Sequence, residues 1–296
     1  MLAEMANTVG PVLLITGIGY LLGRRGDLPL EGLGALVILV ATPALIFSTL
    51  TSLEVSPAAL GRMAAAAALA VGLAALVGLA LLRLGGLPAQ SFLPSLALPN
   101  SGNLGLPLAM LAFGEEGLKL GVAYFFVVSL IQHTVGFSLA SGSLRLGFLL
   151  RQPLMWSVMA VLLVVLAGIK VPQVVLTTTR ILGGMMIPAM LIMLGNALAT
   201  LRVGDLGPAL LVAGGRMSVG VASALAAVSL LGLEGIAAGV VFVMATMPSA
   251  IVTYVYAERF GRDAGQVAGV VVVSTLLTFV ALPGLLWVAL RLAGQG

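Results

Sequence analysis

The sequence predicts an all-α integral membrane protein of ten transmembrane helices, arranged as two inverted five-helix repeats. Three observations carry that expectation. Apolar runs of roughly 20 residues, enough to cross about 30 Å of hydrocarbon at 1.5 Å per residue, recur along the whole chain. The 296 residues are 60% hydrophobic and 8% charged, with a mean hydropathy of +1.20, whereas a soluble domain carries about 25% charge. Proline-centred motifs also recur in the same order, and at nearly the same offset, in the two halves.

The spans follow from the apolar runs in order. They cover 7–23, 33–50, 58–83, 91–113 and 117–140 in the first half, and 153–169, 178–199, 211–233, 236–257 and 266–290 in the second. Connections are short and hold most nearby charges: RRGD at 24–27, GEEG at 114–117 and ERFGRD at 258–263. No stretch is left over for a soluble domain. The start, MLAEMANTVG, lacks the basic residues and cleavage site of a secretory signal, so the first span is expected to be retained.

The repeat shows in three markers. TPALIF surrounds Pro43 in the second span and IPAMLI surrounds Pro188 in the seventh; GRM recurs at Gly61 and Gly215; interruptions fall at Pro99 in the fourth span and at Pro248 in the ninth. These divide the chain into 1–145 and 146–296. Five spans per copy is odd, so the copies must be inverted.

Basic residues set the orientation. With both termini outside, the cytoplasmic side holds nine (Arg24, Arg25, Arg83, Arg145, Arg151, Arg202, Arg216, Arg259 and Arg262) against five outside (Arg62, Lys119, Lys170, Arg180 and Arg291). Scattered singly between apolar runs, they orient helices rather than bind nucleic acid. The chain has no cysteine and one histidine, which excludes disulfides, thiolate nucleophiles and Cys/His metal clusters. No cofactor is expected.

The fourth span carries the unusual stretch ALPNSGNLGLP at 97–107. Proline removes a donor and clashes with the preceding turn, so Pro99 and Pro107, with the adjacent glycines, should unwind the helix at mid-membrane; Pro248 should do the same in TMPSA. Bare backbone groups are costly in lipid, so both breaks must face protein or water. Two breaks in matching places of inverted repeats point to a transport site. The side chains of Asn100, Ser101 and Asn103, and the N–H groups around Ser101 to Gly105 and Ser249 to Ala250, would hold an anion at half-helix N-termini. Gly102 and Gly105 fall within the first of these segments. Met193 and Met247 would line the remainder.

NSGNLGLPLAMLAFGEEGL at 100–118 closely resembles the first-repeat signature of the auxin efflux carrier family, which includes the plant PIN carriers and bacterial malonate or malate permeases. MPSAIVTYVYAERFGRD at 247–263 and STLLTFVALP at 274–283 resemble the second-repeat signature. The resemblance covers essentially the whole chain. It implies a fold like that of the bile acid transporters, within the superfamily of bile, arsenite and riboflavin transporters: helices 1, 2, 6 and 7 form a scaffold, and helices 3–5 and 8–10 form a mobile domain whose fourth and ninth helices cross where they unwind. It further implies elevator-type alternating access and a homodimer through the scaffold. The long central loop of the plant carriers is missing, being only about Ser141 to Gln152 here. The related bile acid transporters bind sodium with a carboxylate near the ninth-helix break; this chain has Thr246, Met247, Pro248, Ser249 and Ala250 there, which argues against sodium coupling.

The other intramembrane polar residues each carry two readings. All ten acids fall at helix ends or in loops, so no buried carboxylate is available for coupling. His133 is a candidate for a proton-linked role, or simply a neutral histidine bonded to a neighbouring helix. Gln132 lies on another face, so at most one of the two looks into the site. Arg216 is expected to snorkel at the membrane edge, as its repeat mate Arg62 would, rather than bind an anion. Asn196 either faces the mobile domain or bonds between helices, and Thr253 and Tyr254 are placed to shape the pocket.

The sequence thus predicts a secondary transporter of small organic anions, malonate-like, malate-like or auxin-like, in a prokaryotic inner membrane. A passive anion channel and a carrier of a non-anionic small solute stand as alternatives. An intramembrane enzyme would need buried acid–base or nucleophile pairs that the sequence does not offer.

Overall fold

The computed structural model describes residues 2–26, 30–51, 57–142, 153–167 and 169–295. Arg145, Arg151, Asp27 and most of the connection between 141 and 152 lie outside the described residues. Among the described residues the chain is all helical, apart from one isolated bridge between Pro99 and Ser249.

Helix α1 (Leu2–Arg25) covers the first expected span. The second is continuous helix through α2 (Leu30–Leu36), a π-helical turn at Val37–Ala41 and α3 (Thr42–Thr51). The wide turn precedes Pro43, whose ring and missing N–H disturb the regular ladder behind it. Helix α4 (Pro57–Leu84) is the third. The fourth is split into α5 (Ala89–Ala97), an extended stretch, a π-turn at Ser101–Gly105 and the first part of α6 (Leu106–Ile131).

The connection expected at 114–117 shrinks to a single residue. Gly114 has φ +64° and ψ −154°, a conformation open essentially to glycine alone, and helix resumes immediately at Glu115. The two limbs double back on each other: a Cβ on Gly117 would fall 2.4 Å from the Ala109 carbonyl oxygen. A further π-turn at Gln132–Gly136 leads into α7 (Phe137–Ser141).

In the second half, α8 (Pro153–Leu166) stops three residues short of the expected 169. Helices α9 (Gln173–Gly184) and α10 (Met186–Thr200) meet at Met185. Helix α11 (Leu206–Leu230) begins five residues earlier than expected, capped by Asp205, whose Oδ1 accepts from Gly207 N–H at 3.0 Å. Helices α12 (Gly235–Thr246) and α13 (Ile251–Phe260) flank the second break, and α14 (Ala264–Leu292) closes the chain.

Six helical stretches among the described residues are long and apolar enough to cross a membrane: Gly32–Thr51, Ala58–Leu84, Ser101–Ser141, whose two limbs join at Gly114, Gln173–Thr200, Leu206–Leu230 and Ala264–Leu292. The chain is therefore a multi-pass, all-α membrane protein.

Packing sorts the helices. Helix α1 lies along α10, and α3 packs against α8 and α9. Helices α4, α5, α6, α11, α12 and α14 pack among themselves. The α1–α10 seam is held by glycine: a Cβ on Gly19 would fall 2.2 Å from Ile192 O, and one on Gly195 would fall 1.9 Å from Thr16 O. Backbones approach this closely only where side chains are absent, which is how helices gain contact in lipid.

Candidate functional site

The two breaks meet. At the end of α5, Leu98 is extended (φ −99°, ψ 109°), and so is Ala250 (φ −67°, ψ 136°) before α13. Asn100 N–H donates to Pro248 O at 2.7 Å, and Ala250 N–H donates to Leu98 O at 3.1 Å. The groups freed by Pro99 and Pro248 thus satisfy one another across a two-residue antiparallel bridge. Gln132 Nε2 donates to Pro99 O at 3.2 Å and accounts for a third.

Hydroxyls fasten the same junction. Ser249 Oγ donates to Ser95 O at 2.7 Å, and Ser249 N–H donates to Ser274 Oγ at 3.1 Å. Ser95 Oγ donates to Thr253 Oγ1 at 3.1 Å, and that hydroxyl donates to Ala250 O at 2.7 Å.

Asn100 caps the turn that follows, its Oδ1 accepting from Asn103 N–H at 3.3 Å. Asn100 and Ser101 are 4% and 1% exposed, yet Asn100 Nδ2 and Ser101 Oγ have no hydrogen-bond partner. Ser101 and Gly102 open the helix, so their N–H groups find no acceptor within it. Asn103 is half-buried. Two side chains and two amides thus gather at one helix start with hydrogen-bonding capacity left over, an arrangement suited to an oxyanion.

The glycines let the walls close in. A Cβ on Gly102 would lie 2.9 Å from Phe125 Cε2 and 3.6 Å from Met190 Cε; one on Gly105 would lie 2.8 Å from Met244 Sδ and 3.4 Å from Met247 Cγ. Pro107 follows the π-turn as the second residue of α6; its missing N–H takes one donor from the carbonyls of that turn, which loosens the helix just beyond the break. A cleft of about 650 Å³ separates α3, α9 and α10 from α6; Met110, Ile187 and Pro188 line it beside Glu115, Lys119 and Arg180.

Several sequence expectations change in this light. The N–H groups of Ser249 and Ala250 are already committed to Ser274 and Leu98, so they offer nothing to a ligand. Met247, Ser249, Ala250 and Thr253 are all buried and serve the junction itself. Of the pair in the π-turn after α6, Gln132 reaches the break. His133 Nδ1 instead lies 2.8 Å from Ser129 O, one turn back on its own helix rather than on a neighbour. Asn196 sits against Gly23 in the α1–α10 seam. Tyr254 is bonded through its hydroxyl to Glu258 at 2.7 Å on α13.

Arg216 is the largest departure. It does not snorkel: it is 2% exposed, and its guanidinium donates to Leu96 O at 2.7 Å, to Met247 O at 3.0 Å and to Ala245 O. The early start of α11 puts Arg216 ten residues into the helix, about 15 Å from its end, whereas Arg62 lies near the start of α4 and is exposed. The 154-residue offset of GRM, longer than that of the proline markers, was the available signal.

A multi-pass helical body with paired helix breaks at its centre defines the class as a membrane transport protein. The family described as membrane transport protein, that of the auxin efflux carriers, matches residues 5–145 and 143–286, and the chain belongs to it. An uncharacterized transporter of Methanothermobacter thermautotrophicus is 28% identical over 295 residues, 95% of this chain and 96% of its own length.

Proposed function

We propose that the chain is a secondary transporter of small organic anions, mono- or dicarboxylates of the malonate, malate or auxin type, and not an enzyme. The observation that carries this reading is the pair of buried, partnerless groups Asn100 Nδ2 and Ser101 Oγ; the amides of Ser101 and Gly102 stand beside them at the helix start, where no intrahelical acceptor exists. Buried polar atoms are almost always satisfied, so a pair left open at a helix start asks for a ligand with acceptor oxygens. Half-buried Asn103, in the same turn, adds a third side chain. Neutral donors suit a carboxylate because all the acids lie at helix ends or in loops, leaving none in the membrane core to repel it.

Ten spans in two inverted repeats account for the helix breaks at Pro99 and Pro248. On this reading α1–α3 and α8–α10 are the scaffold, the remaining helices move as a unit carrying both breaks, and the 650 Å³ cleft lies between the two groups. Lys119 and Arg180 beside it, against the single Glu115, leave the cleft with a positive balance that would draw anions inward. The setting is a prokaryotic inner membrane with both termini outside.

The test is uptake into proteoliposomes of radiolabelled malonate, malate, succinate, benzoate and indole-3-acetate, with and without internal substrate. Saturable uptake of one acid, accelerated by internal substrate and abolished in folded Asn100→Ala and Asn103→Ala, is expected. Absence of uptake of any acid by folded protein would overturn the anion reading, and normal uptake by both variants would overturn the site.

A further inference from the structure

We propose that Arg216 is a tethered cation filling a carbonyl-lined cation site at the back of the paired breaks, so that the junction needs no dissociable cation and carries a permanent positive charge toward the substrate.

The site is built by the breaks themselves. In an unbroken helix Leu96 O would accept from Asn100 N–H and Ala245 O from Ser249 N–H. Those donors are spent on Pro248 O and Ser274 Oγ. Two carbonyls are left at the C-terminal ends of α5 and α12, and Met247 O joins them from the second break. C-terminal carbonyls carry the negative end of the helix dipole, and three of them converging in a buried place form a cation site. Arg216 reaches all three.

The neighbouring glycines are what allow it. A Cβ on Gly215 would touch Leu96 Cδ2 at 3.2 Å, and one on Gly220 would come to 3.0 Å from Ala245 O. Helix α11 is therefore pressed against the ends of both α5 and α12 on either side of Arg216. A planar guanidinium can send donors to three separately placed carbonyls, which a compact ammonium cannot do as well.

Among the described residues no carboxylate pairs with Arg216; its hydrogen-bond acceptors are backbone carbonyls alone, and the side chain it interacts with electrostatically is the neutral phenol of Tyr124. The charge is hydrogen-bonded but not cancelled. Leu96 lies one helical turn before Asn100, so the field of this cation adds to the positive dipole end at Ser101 and Gly102. Arg216 is thus a positioning residue: it touches no ligand, holds the breaks together and biases the site toward anions. This second role rests on the organic-anion reading; the first does not.

The experiment compares melting of purified wild type and Arg216→Ala, with guanidinium, sodium or potassium chloride at about 10 mM. The variant is expected to melt lower and to be raised by several degrees by guanidinium, while wild type is unmoved by all three salts. An equal response of both proteins, or none in the variant, would overturn the tethered-cation assignment. No substrate is needed, so this result stands apart from whether organic anions are carried. Arg216→Lys and Arg216→Gln provide the charge test and a second route should the alanine variant not fold. Lysine is expected to keep about a tenth of wild-type uptake and glutamine under about a hundredth. Equal loss in the two would overturn the claim that charge matters.

Discussion

Gly195→Ala adds one methyl group to the α1–α10 seam. That methyl would stand 1.9 Å from Thr16 O and 2.6 Å from Tyr20 N, both backbone atoms that no rotamer change can move. A carbon–oxygen contact relaxes at about 3.3 Å, so the helices must part locally by about 1.4 Å. Overpacking of a tight core costs about 1–3 kcal/mol, and a clash with backbone on both sides belongs at the top of that range. At about 2–4 °C per kcal/mol, a fall in melting temperature of about 6–12 °C is expected. The assay is fluorescence-detected melting in detergent, with Gly17→Ala as the control. Gly17 lies on the same α1 with nothing within 4 Å of its Cβ position, and its variant should melt within about 1 °C of wild type. If Gly195→Ala and Gly17→Ala melt alike, the glycine seam does not hold α1 to α10.

Ser101→Ala removes a buried hydroxyl that has no partner, so its melting temperature should stay level or rise, while the substrate concentration for half-maximal uptake rises several-fold. A drop in stability with unchanged uptake would show that Ser101 serves the fold instead. Gln132→Leu leaves Pro99 O bare at the junction, at a cost of about 1–3 kcal/mol; lower melting and roughly tenfold slower initial uptake are expected, and no change in either would contradict the role given to Gln132.

Much of this architecture was legible. Pro99 and Pro248 announced where helices stop, because a missing donor and a crowded ring act locally and need no knowledge of the rest of the chain. That the two breaks cross is implied only by the family resemblance; the hydrogen bonds that pair them were not legible, since bonds between residues some 150 positions apart leave no local trace. The same reason hid the fate of Ser249 and Ala250: as free-standing residues after a proline they read as open donors, and only the positions of Leu98 and Ser274 show that they are committed. Arg216 was misplaced because one arginine in an apolar run has the same sequence appearance at the membrane edge as at its centre. What decides is where α11 begins, and a five-residue error there moves the side chain by about 7.5 Å. On α1, Gly19 and Gly23 stand four apart and expose a small-residue stripe, but the partner Gly195 lies far along the chain.

The bridge between Pro99 and Ser249 also bears on how such a chain is made. Leu98 O and Asn100 N–H have their partners at Ala250 and Pro248, which leave the ribosome about 150 residues later; at about 5–20 residues per second this is a delay of about 8–30 s. During that interval the first break sits in the bilayer with backbone groups that cost several kcal/mol each when bare. The first half can therefore be inserted but not finished, and water or an assisting protein must shelter the break until its complement arrives. Biogenesis of the two halves is thereby chained to a single late event, the meeting of two short extended segments.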